Sequence, residues 1–212
     1  MQVAIALFPR MTALDAIGPY EVLQRVPSLD VVFVGDKRGE IRDENTFLGL
    51  AVDATFDEVT EPDVILVPGG HGTRALLDGG RYLDWVTHVH QGARFTTSVC
   101  SGSLVLAAAG LLDGLTATTH WSVLSYLDRF GAVPVTQRVV EHLPERLITA
   151  AGVSAGIDMA IRLVELLVDD VAAQAAQVLI EYDPQPPFDA GHPSKVSSEV
   201  MDRVREYAAL RN

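Results

Sequence analysis

The stretch Phe95-Thr96-Thr97-Ser98-Val99-Cys100-Ser101-Gly102-Ser103 decides the fold of this chain. A β-branched run rises to Cys100, small residues follow it, and the apolar residues 104–112 then have the pattern of a helix. This arrangement predicts a strand, a tight turn and a helix, with cysteine in the place that serine takes in a nucleophile elbow. The positive end of the new helix favours a thiolate there. A buried structural cysteine is the alternative, because that is the common fate of a lone cysteine.

Apolar, β-branched runs alternate with helical patterns along the whole chain. Repeated alternation of this kind is typical of an α/β layered fold, with a mostly parallel sheet and helices on both faces. Residues 36–58 carry many charges and predict only a short hairpin or an excursion at the sheet edge. The predicted strands are residues 3–8, 30–34, 63–67, the run into Cys100, 116–119, 139–140 and 147–150, and the predicted helices are residues 16–25, 82–91, 121–129, 157–168 and 171–180.

Length and composition fit one large domain. The chain has 212 residues, of which 48% are hydrophobic, which is enough for a sizeable core. Residues 183–193 include four prolines and a glycine, which predicts an extended arm. The amphipathic pattern of residues 197–210 gives one last helix, too little for a second domain. We therefore expect a single domain over residues 1–212, in which residues 183–212 form a proline-rich arm and a C-terminal helix.

Charge and cysteine content narrow the class of function. The net charge of −12 comes from 16 Lys and Arg against 28 Asp and Glu, and it repels phosphate backbones, so we expect no nucleic-acid partner. No apolar run reaches the roughly 18 residues of a membrane span, so we expect no membrane association. Residues 1–9 lack the basic start and cleavage site of a signal peptide. One cysteine forms no intramolecular disulfide, which suits a cytoplasmic location.

Two further segments lie at predicted carboxyl ends of strands, where sites gather in parallel α/β sheets. Gly69 and Gly70 follow a buried strand, and glycines there let backbone N–H groups approach a ligand as an oxyanion hole requires. A plain tight turn is the alternative. Asp15 stands at the start of a predicted helix and is either its N-cap or a carboxyl coupled to a thiolate.

The histidines give a weaker signal. His120, within Thr118-Thr119-His120-Trp121, is either the partner of a Cys–His pair or a satisfied polar residue at a strand end. His88 and His90 are two positions apart on a predicted helix, so they face different sides and make a poor metal pair. We therefore expect no metal. The chain has no glycine-rich phosphate-binding motif, so we expect no nucleotide and no other cofactor.

Six ordered blocks together resemble the DJ-1/PfpI (ThiJ) superfamily over almost the full length of the chain. Ser101 stands where PfpI-type proteases carry a histidine, so peptidase activity is not expected. His120 is followed by Trp121-Ser122, which departs from the His-x-Glu of class I glutamine amidotransferases. Asp15, the hydroxyl residue after the cysteine and the Thr-Thr-His-Trp block look like those of bacterial isocyanide hydratases, which usually have threonine after the cysteine. The six blocks are residues 14–23, 66–70, 98–103, 107–112, 117–121 and 155–158.

The resemblance implies a flavodoxin-like domain, a homodimer and a cofactor-independent hydratase, a lyase, that converts a small isocyanide to an N-substituted formamide. It implies that the Cys100 thiolate attacks the terminal carbon, that Asp15 gives that carbon a proton, and that water hydrolyses the resulting thioimidate. It further implies that the N–H groups of Gly70 and Ser101 steady the charged intermediate and that the Ser101 hydroxyl tunes the thiolate. The expected pocket residues are His120, Trp121, Gly152 and Val153.

Two other functions remain open at this point. One is a glyoxalase- or deglycase-like activity on small carbonyls. The other is a stress or redox-sensing protein in which Cys100 is oxidised without turnover. AraC-type regulators contain a very similar N-terminal domain, but they continue into a helix-turn-helix domain, and no such pattern follows residue 182 in this sequence.

Overall fold

A seven-stranded sheet forms the centre of the protein. The structure, a computed structural model, describes residues 1–210. The strands of these residues are β1 (Gln2–Ala6), β2 (Asp30–Gly35), β3 (Gly39–Arg42), β4 (Gly49–Val52), β5 (Ala54–Thr55), β6 (Val64–Val67), β7 (Phe95–Val99), β8 (Thr116–Ala117), β9 (Val133–Pro134), β10 (Val139–His142) and β11 (Leu147–Ala150).

The helices follow the predicted alternation with the strands. Those of residues 1–210 are α1 (Ala13–Leu23), α2 (Arg81–His90), α3 (Gly102–Ala108), α4 (Ala155–Leu167), α5 (Asp170–Leu179) and α6 (Ser198–Ala209), with 3-10 helices at His71–Leu76, Trp121–Phe130 and Pro193–Lys195. Among them, no helix has both the length and the apolar character needed to cross a membrane.

The strand order is β10-β11-β7-β6-β1-β2-β5, and every neighbouring pair is parallel except β10 with β11. All four side chains of β6 are buried, as are residues 3–6 of β1, because a parallel sheet is covered on both faces. On one side α1, α4 and α5 pack together, and α2 packs against α3. The predicted α/β fold, flavodoxin-like with a mostly parallel sheet and helices on both faces, is confirmed.

The region of residues 36–58 combines the two predicted possibilities. Strands β3 and β4 form an antiparallel hairpin, and β5 adds a short parallel strand beside β2 at the sheet edge. An isolated bridge between Met11 and Asp43 ties the hairpin to the segment that leads into α1. The hairpin is thereby held beside the carboxyl end of β1, which brings an otherwise peripheral loop close to the central sheet.

The chain divides into two units, and the second begins at Tyr182. The first, Met1–Glu181, contains the central sheet and α1 to α5. The second contains the 3-10 turn and α6, which begins where the Ser197 side chain accepts a hydrogen bond from the Val200 N–H. The predicted proline-rich arm and C-terminal helix fall in this second unit, and residues 211–212 lie outside the described residues. A single domain over residues 1–212 stays a prediction.

Candidate active site

Cys100 occupies a sharp turn between β7 and α3. Its φ is 56°, in the left-handed region that costs a non-glycine residue about 1–2 kcal/mol. Small neighbours make the turn possible, because a Cβ at Gly102 would overlap the carbonyl oxygen of Val67 and a Cβ at Gly69 would overlap the backbone nitrogen of Ser101. The structure thus has the predicted elbow, with the cysteine at the carboxyl end of a central strand.

Hydrogen bonds from neighbouring segments hold the strained turn in place. The Cys100 N–H donates to the carbonyl oxygens of Ala150 and Ala151, at 3.1 and 3.0 Å. The Cys100 carbonyl accepts from the Thr119 hydroxyl at 2.8 Å and from the Ser103 hydroxyl at 3.2 Å. These bonds fix the backbone of Cys100, and its burial leaves the residue only 6% exposed.

Asp15 lies in the first turn of α1 and does not cap that helix, since the N-cap residue is Thr12. Its side chain is fully buried, and Oδ2 accepts a hydrogen bond of 2.9 Å from the Gly69 N–H. The other oxygen, Oδ1, is buried without a hydrogen bond of regular geometry within residues 1–210. A buried carboxylate with one unsatisfied oxygen is an effective proton acceptor. The N-cap alternative is therefore excluded in favour of a carboxyl next to the cysteine.

The side chains of Asp15 and Cys100 titrate as a coupled pair. Burial raises the pKa of Asp15 to about 7, against the lowering effects of the Gly69 N–H and of the Cys100 side chain. Burial, and then the negative charge of Asp15, raise the pKa of the Cys100 thiol far above its ordinary value. Burial and the neighbouring carboxylate act against the ionised thiol that the start of α3 favours, so the partly ionised thiol expected from the sequence stays a prediction. At a pH above about 7, Asp15 is charged while the thiol keeps its proton, so the pair holds one proton between its two members.

The backbone donors next to the sulfur agree with the prediction only at Ser101. The N–H groups of Ser101 and Val153 interact with Cys100 and lower the pKa of its thiol. Gly69 and Gly70 were expected to supply oxyanion donors, but the Gly69 N–H is bonded to Asp15 and the Gly70 N–H donates to the Ser101 Oγ at 2.9 Å. In this structure the two glycines instead allow close backbone approach, since Gly70 has a φ of 127° and a Cβ there would overlap the Thr12 nitrogen.

The hydroxyl of Ser101 points towards the glycine turn. It accepts from the Gly70 N–H, and it lies 3.3 Å from both the Gly70 carbonyl oxygen and the Thr73 Oγ1. Thr73 in turn donates to the Gly70 carbonyl at 2.7 Å. The hydroxyl of Ser101 therefore connects the turn of Gly70 to the elbow. Ser101 contacts the sulfur through its backbone N–H.

Two of the four predicted pocket residues line the cavity beside Cys100, and two do not. His120 and Val153 line a cavity that Cys100 also lines. Trp121 does not line it; this residue is 40% exposed at the start of a 3-10 helix, and its ring centroid lies 5.2 Å from that of His120. Gly152 contributes through its lack of a side chain, since a Cβ there would overlap the imidazole of His120.

His120 has a defined orientation at the cavity wall. Its Nδ1 accepts a hydrogen bond of 3.4 Å from the Ser122 N–H and lies 2.7 Å from the Ser122 hydroxyl. Because a backbone N–H can only donate, Nδ1 is the acceptor and Nε2 carries the hydrogen. Burial lowers the pKa of His120, which favours the neutral ring near pH 7. In this state His120 offers the cavity a hydrogen-bond donor.

The cavity beside Cys100 has a volume of about 440 Å³ and a mixed polar and apolar lining. Sequence reasoning missed most of this lining, above all Glu44 from the loop between β3 and β4, whose position depends on the bridge of Met11 with Asp43. Asp15 and Gly69 are not part of the lining. Within residues 1–210, no group of three or more His, Cys, Asp or Glu side chains is placed to hold a metal ion. The lining residues that were not predicted are Thr12, Glu44, His71, Thr73, Arg74, Leu77, Leu104, Ser122, Val123 and Tyr126.

An elbow cysteine paired with a buried carboxyl at the carboxyl edge of a flavodoxin-like sheet agrees with the family comparison. Residues 1–166 match the DJ-1/PfpI family, and the chain belongs to that family. The isonitrile hydratase of Pseudomonas putida is 43% identical over 209 residues, which cover 99% of this chain and 90% of that protein. A ThiJ/PfpI family protein from Pseudomonas syringae has a crystal structure with a TM-score of 0.91 and 36% identity, covering 98% of this chain and 86% of that one.

A more distant match concerns a different kind of protein. The HTH-type transcriptional regulator GbdR of Pseudomonas aeruginosa is 30% identical over 118 residues, which are 55% of this chain but only 32% of the regulator. The similarity to AraC-type regulators expected from the sequence is thus confined to a part of the longer protein. The family assignment made from the six blocks is confirmed.

Proposed function

We propose that this protein hydrates isocyanides to N-substituted formamides without a cofactor. The observation that carries the proposal is the buried Asp15 carboxyl next to the Cys100 thiol, at a cavity of about 440 Å³ that Cys100 lines. The 43% identity to an isonitrile hydratase over 99% of the chain supports this reaction, since isonitrile and isocyanide are two names for the same group.

The first step forms a thioimidate. The Asp15 carboxylate takes the thiol proton, and the sulfur attacks the terminal carbon of R–N≡C. Asp15 then gives the same proton to that carbon, so that Cys100 ends as R–N=CH–S–Cys. The carboxylate suits this transfer, because burial has brought its pKa to about 7 and proton transfer in both directions is then easy. The Ser101 and Val153 N–H groups stabilise negative charge on the sulfur before the bond forms.

The second step releases the product. Water adds to the thioimidate carbon and gives R–NH–CH(OH)–S–Cys, in which one proton of the water has gone to nitrogen. The carbon–sulfur bond then breaks as the hydroxyl becomes the formyl group, and the remaining proton returns to the sulfur. The products are R–NH–CHO and the free thiol, so the enzyme is regenerated without an oxidant or reductant. In this proposal His120, which lines the cavity, binds the developing oxygen through its Nε2–H.

Two other functions use the same cysteine. A glyoxalase- or deglycase-like enzyme would act on small dicarbonyls, and a redox sensor would accumulate oxidised Cys100 without turning over any substrate. A panel of aryl and alkyl isocyanides and dicarbonyls, assayed with wild type and Cys100→Ser, separates the three. We expect formamide from isocyanides with wild type and none with the variant. Absence of formamide across the panel, or preferential turnover of dicarbonyls, would overturn the proposal.

We also propose that the protein is a cytoplasmic homodimer that does not bind nucleic acid. Support for a second copy comes from the family and from α6, along which Val200, Val204 and Tyr207 are exposed at helical spacing. The single cysteine supports a reducing compartment, and the net charge of −12 opposes phosphate contacts. Light scattering that gives the mass of one chain would contradict the dimer, and salt-dependent retardation of duplex DNA would contradict the lack of nucleic-acid binding.

A further inference from the structure

Hydrolysis of the thioimidate requires a base that water can reach. Asp15 does not meet this requirement, because its side chain has no exposed surface and does not line the cavity. The thioimidate forms on Cys100, which lines the cavity, whereas Asp15 does not line it. Asp15, which serves the first step, is therefore poorly placed for the second step. This reasoning rests on the function proposed above.

Glu44 is the carboxyl side chain that lines the cavity together with Cys100. Its backbone N–H donates to the Met11 carbonyl at 2.9 Å, and its Oε2 accepts a hydrogen bond of 3.1 Å from the Thr12 hydroxyl. Within residues 1–210, Oε1 has no hydrogen-bond partner. One oxygen is thus fixed to the segment before α1 while the other is free for a water molecule, and the half-buried side chain remains open to the cavity.

A chain of contacts connects Glu44 to the elbow. Thr12, which holds the carboxylate, donates its N–H to the Gly69 carbonyl at 2.9 Å, and a Cβ at Gly70 would overlap the same Thr12 nitrogen. Gly70 in turn is bonded to the hydroxyl of Ser101, the neighbour of the nucleophile. Glu44 is also close enough to Asp15 for its negative charge to raise the pKa of that carboxyl. The two carboxyls therefore flank one reaction space, one buried behind the sulfur and one in the cavity.

His120 is the other candidate base at the cavity, and its hydrogen bonds disfavour that role. Because Nδ1 accepts from the Ser122 N–H, the Nε2 atom carries a hydrogen and has no lone pair for a water proton. His120 thus serves as a donor, and a carboxylate complements it as an acceptor.

We infer that Glu44 is the general base of the hydrolytic step. Its free oxygen takes a proton from water as the oxygen bonds to the thioimidate carbon, and the proton passes to the imine nitrogen. The carbon–sulfur bond then breaks, the hydroxyl proton of the intermediate goes to the departing sulfur, and Glu44 returns to its starting state. The two half-reactions are thereby divided between two carboxyls, Asp15 for forming the adduct and Glu44 for removing it.

The test compares Glu44→Gln with wild type under rapid mixing with a small aryl isocyanide. Glutamine keeps the size and the acceptor for Thr12 but cannot take a proton. We expect formation of the covalent adduct at the wild-type rate, accumulation of that adduct on Cys100 in intact-protein mass spectra, and a fall of about 100-fold in kcat, as is typical for loss of general-base help. Hydroxylamine, a strong nucleophile that needs less base assistance, should release the adduct from the variant.

Glu40→Gln is the matched control, because Glu40 lies on β3 of the same hairpin and is exposed with Arg42 as its partner. It should turn over isocyanide like wild type. If Glu44→Gln hydrolyses its adduct at the wild-type rate, the inference is wrong although the proposed function stands. If adduct formation itself is lost in Glu44→Gln while the circular dichroism spectrum is unchanged, Glu44 acts before hydrolysis and the inference is also wrong. If wild type forms no adduct with any isocyanide, the proposed function fails first.

Discussion

The elbow at Cys100 and the hairpin of β3 and β4 contribute to the same cavity in different ways. The elbow is buried, strained at a positive φ and held by two backbone carbonyls and two side-chain hydroxyls. The hairpin is largely exposed and reaches the cavity through one bridge and one side-chain hydrogen bond. The nucleophile is therefore held by several buried hydrogen bonds at once, whereas the position of Glu44 in the outer wall depends on a few contacts of an exposed hairpin.

Removal of the two members of the buried pair should have the largest effect. Cys100→Ala should abolish formamide production, and Asp15→Asn should lower it at least ~100-fold, because no proton carrier remains for the terminal carbon. Formamide can be followed by chromatography. Glu21→Gln is the matched control, since Glu21 is a partly exposed carboxyl on α1 that pairs with Arg25. Wild-type activity in Asp15→Asn would mean that Asp15 does not transfer the proton to the terminal carbon.

A glycine substitution in each region tests the difference in packing. Gly69→Ala should destabilise the protein by about 1–3 kcal/mol, because the added Cβ would overlap the backbone of Ser101 in a filled region. At Gly39 in the hairpin, the φ of 129° is unfavourable for alanine, but nothing lies within 4 Å of the new Cβ. Urea unfolding of both variants should therefore show the larger shift for Gly69→Ala. In addition, only this variant should lose isocyanide turnover, and equal loss in Gly39→Ala would remove the distinction.

The pH dependence should report on the buried pair. The active form holds one proton, so kcat/KM should fall as the pH decreases through about 7, where Asp15 becomes protonated and can no longer accept the thiol proton. The expected loss is about tenfold per pH unit on the acidic side. On the alkaline side the rate should hold, because the pKa of Cys100 lies far above neutrality while Asp15 is charged. A flat profile between pH 5 and 8 would contradict the coupling.

The smallest effect is expected at Thr73, which joins the glycine turn to the cavity wall. Thr73→Val removes the hydroxyl that donates to the Gly70 carbonyl at 2.7 Å and leaves that buried oxygen with weaker partners. The expected cost is about 1 kcal/mol of unfolding free energy, with a severalfold fall in kcat/KM as the turn beside Ser101 loosens. Thr73→Ser keeps the hydroxyl and should recover both quantities. Failure of serine to recover them would indicate that the methyl group matters more.

The sequence was sufficient for the parts of the molecule that are encoded locally. Alternating apolar runs predicted the sheet and its helices, and the small residues around Cys100 predicted the elbow. For Asp15 the sequence left two alternatives, an N-cap or a carboxyl coupled to the cysteine, and it is the packing of α1 against the turn of Gly69 that decides between them. The catalytic role of Asp15, like those of Cys100 and Ser101, remains a prediction.

The features that could not be predicted from the sequence depend on contacts between distant segments of the chain. Glu44 reaches the cavity only because Met11 pairs with Asp43, and nothing in the charged region of residues 36–58 indicates that pairing. Of the expected backbone donors, Ser101 contacts the sulfur, whereas Gly69 and Gly70 do not. The N–H groups of Gly69 and Gly70 are engaged by side chains 54 and 31 positions away in the chain, which no local pattern can reveal.

The presence of a single thiol has a practical consequence for every measurement on this protein. A chromogenic thiol reagent reacts with one position per chain, so the ratio of label to protein counts the molecules whose Cys100 is reduced. Preparations that have been partly inactivated by air can be normalised by this active-site titration. Turnover numbers expressed per titrated thiol then become comparable between wild type and variants, whatever fraction of each sample has been oxidised.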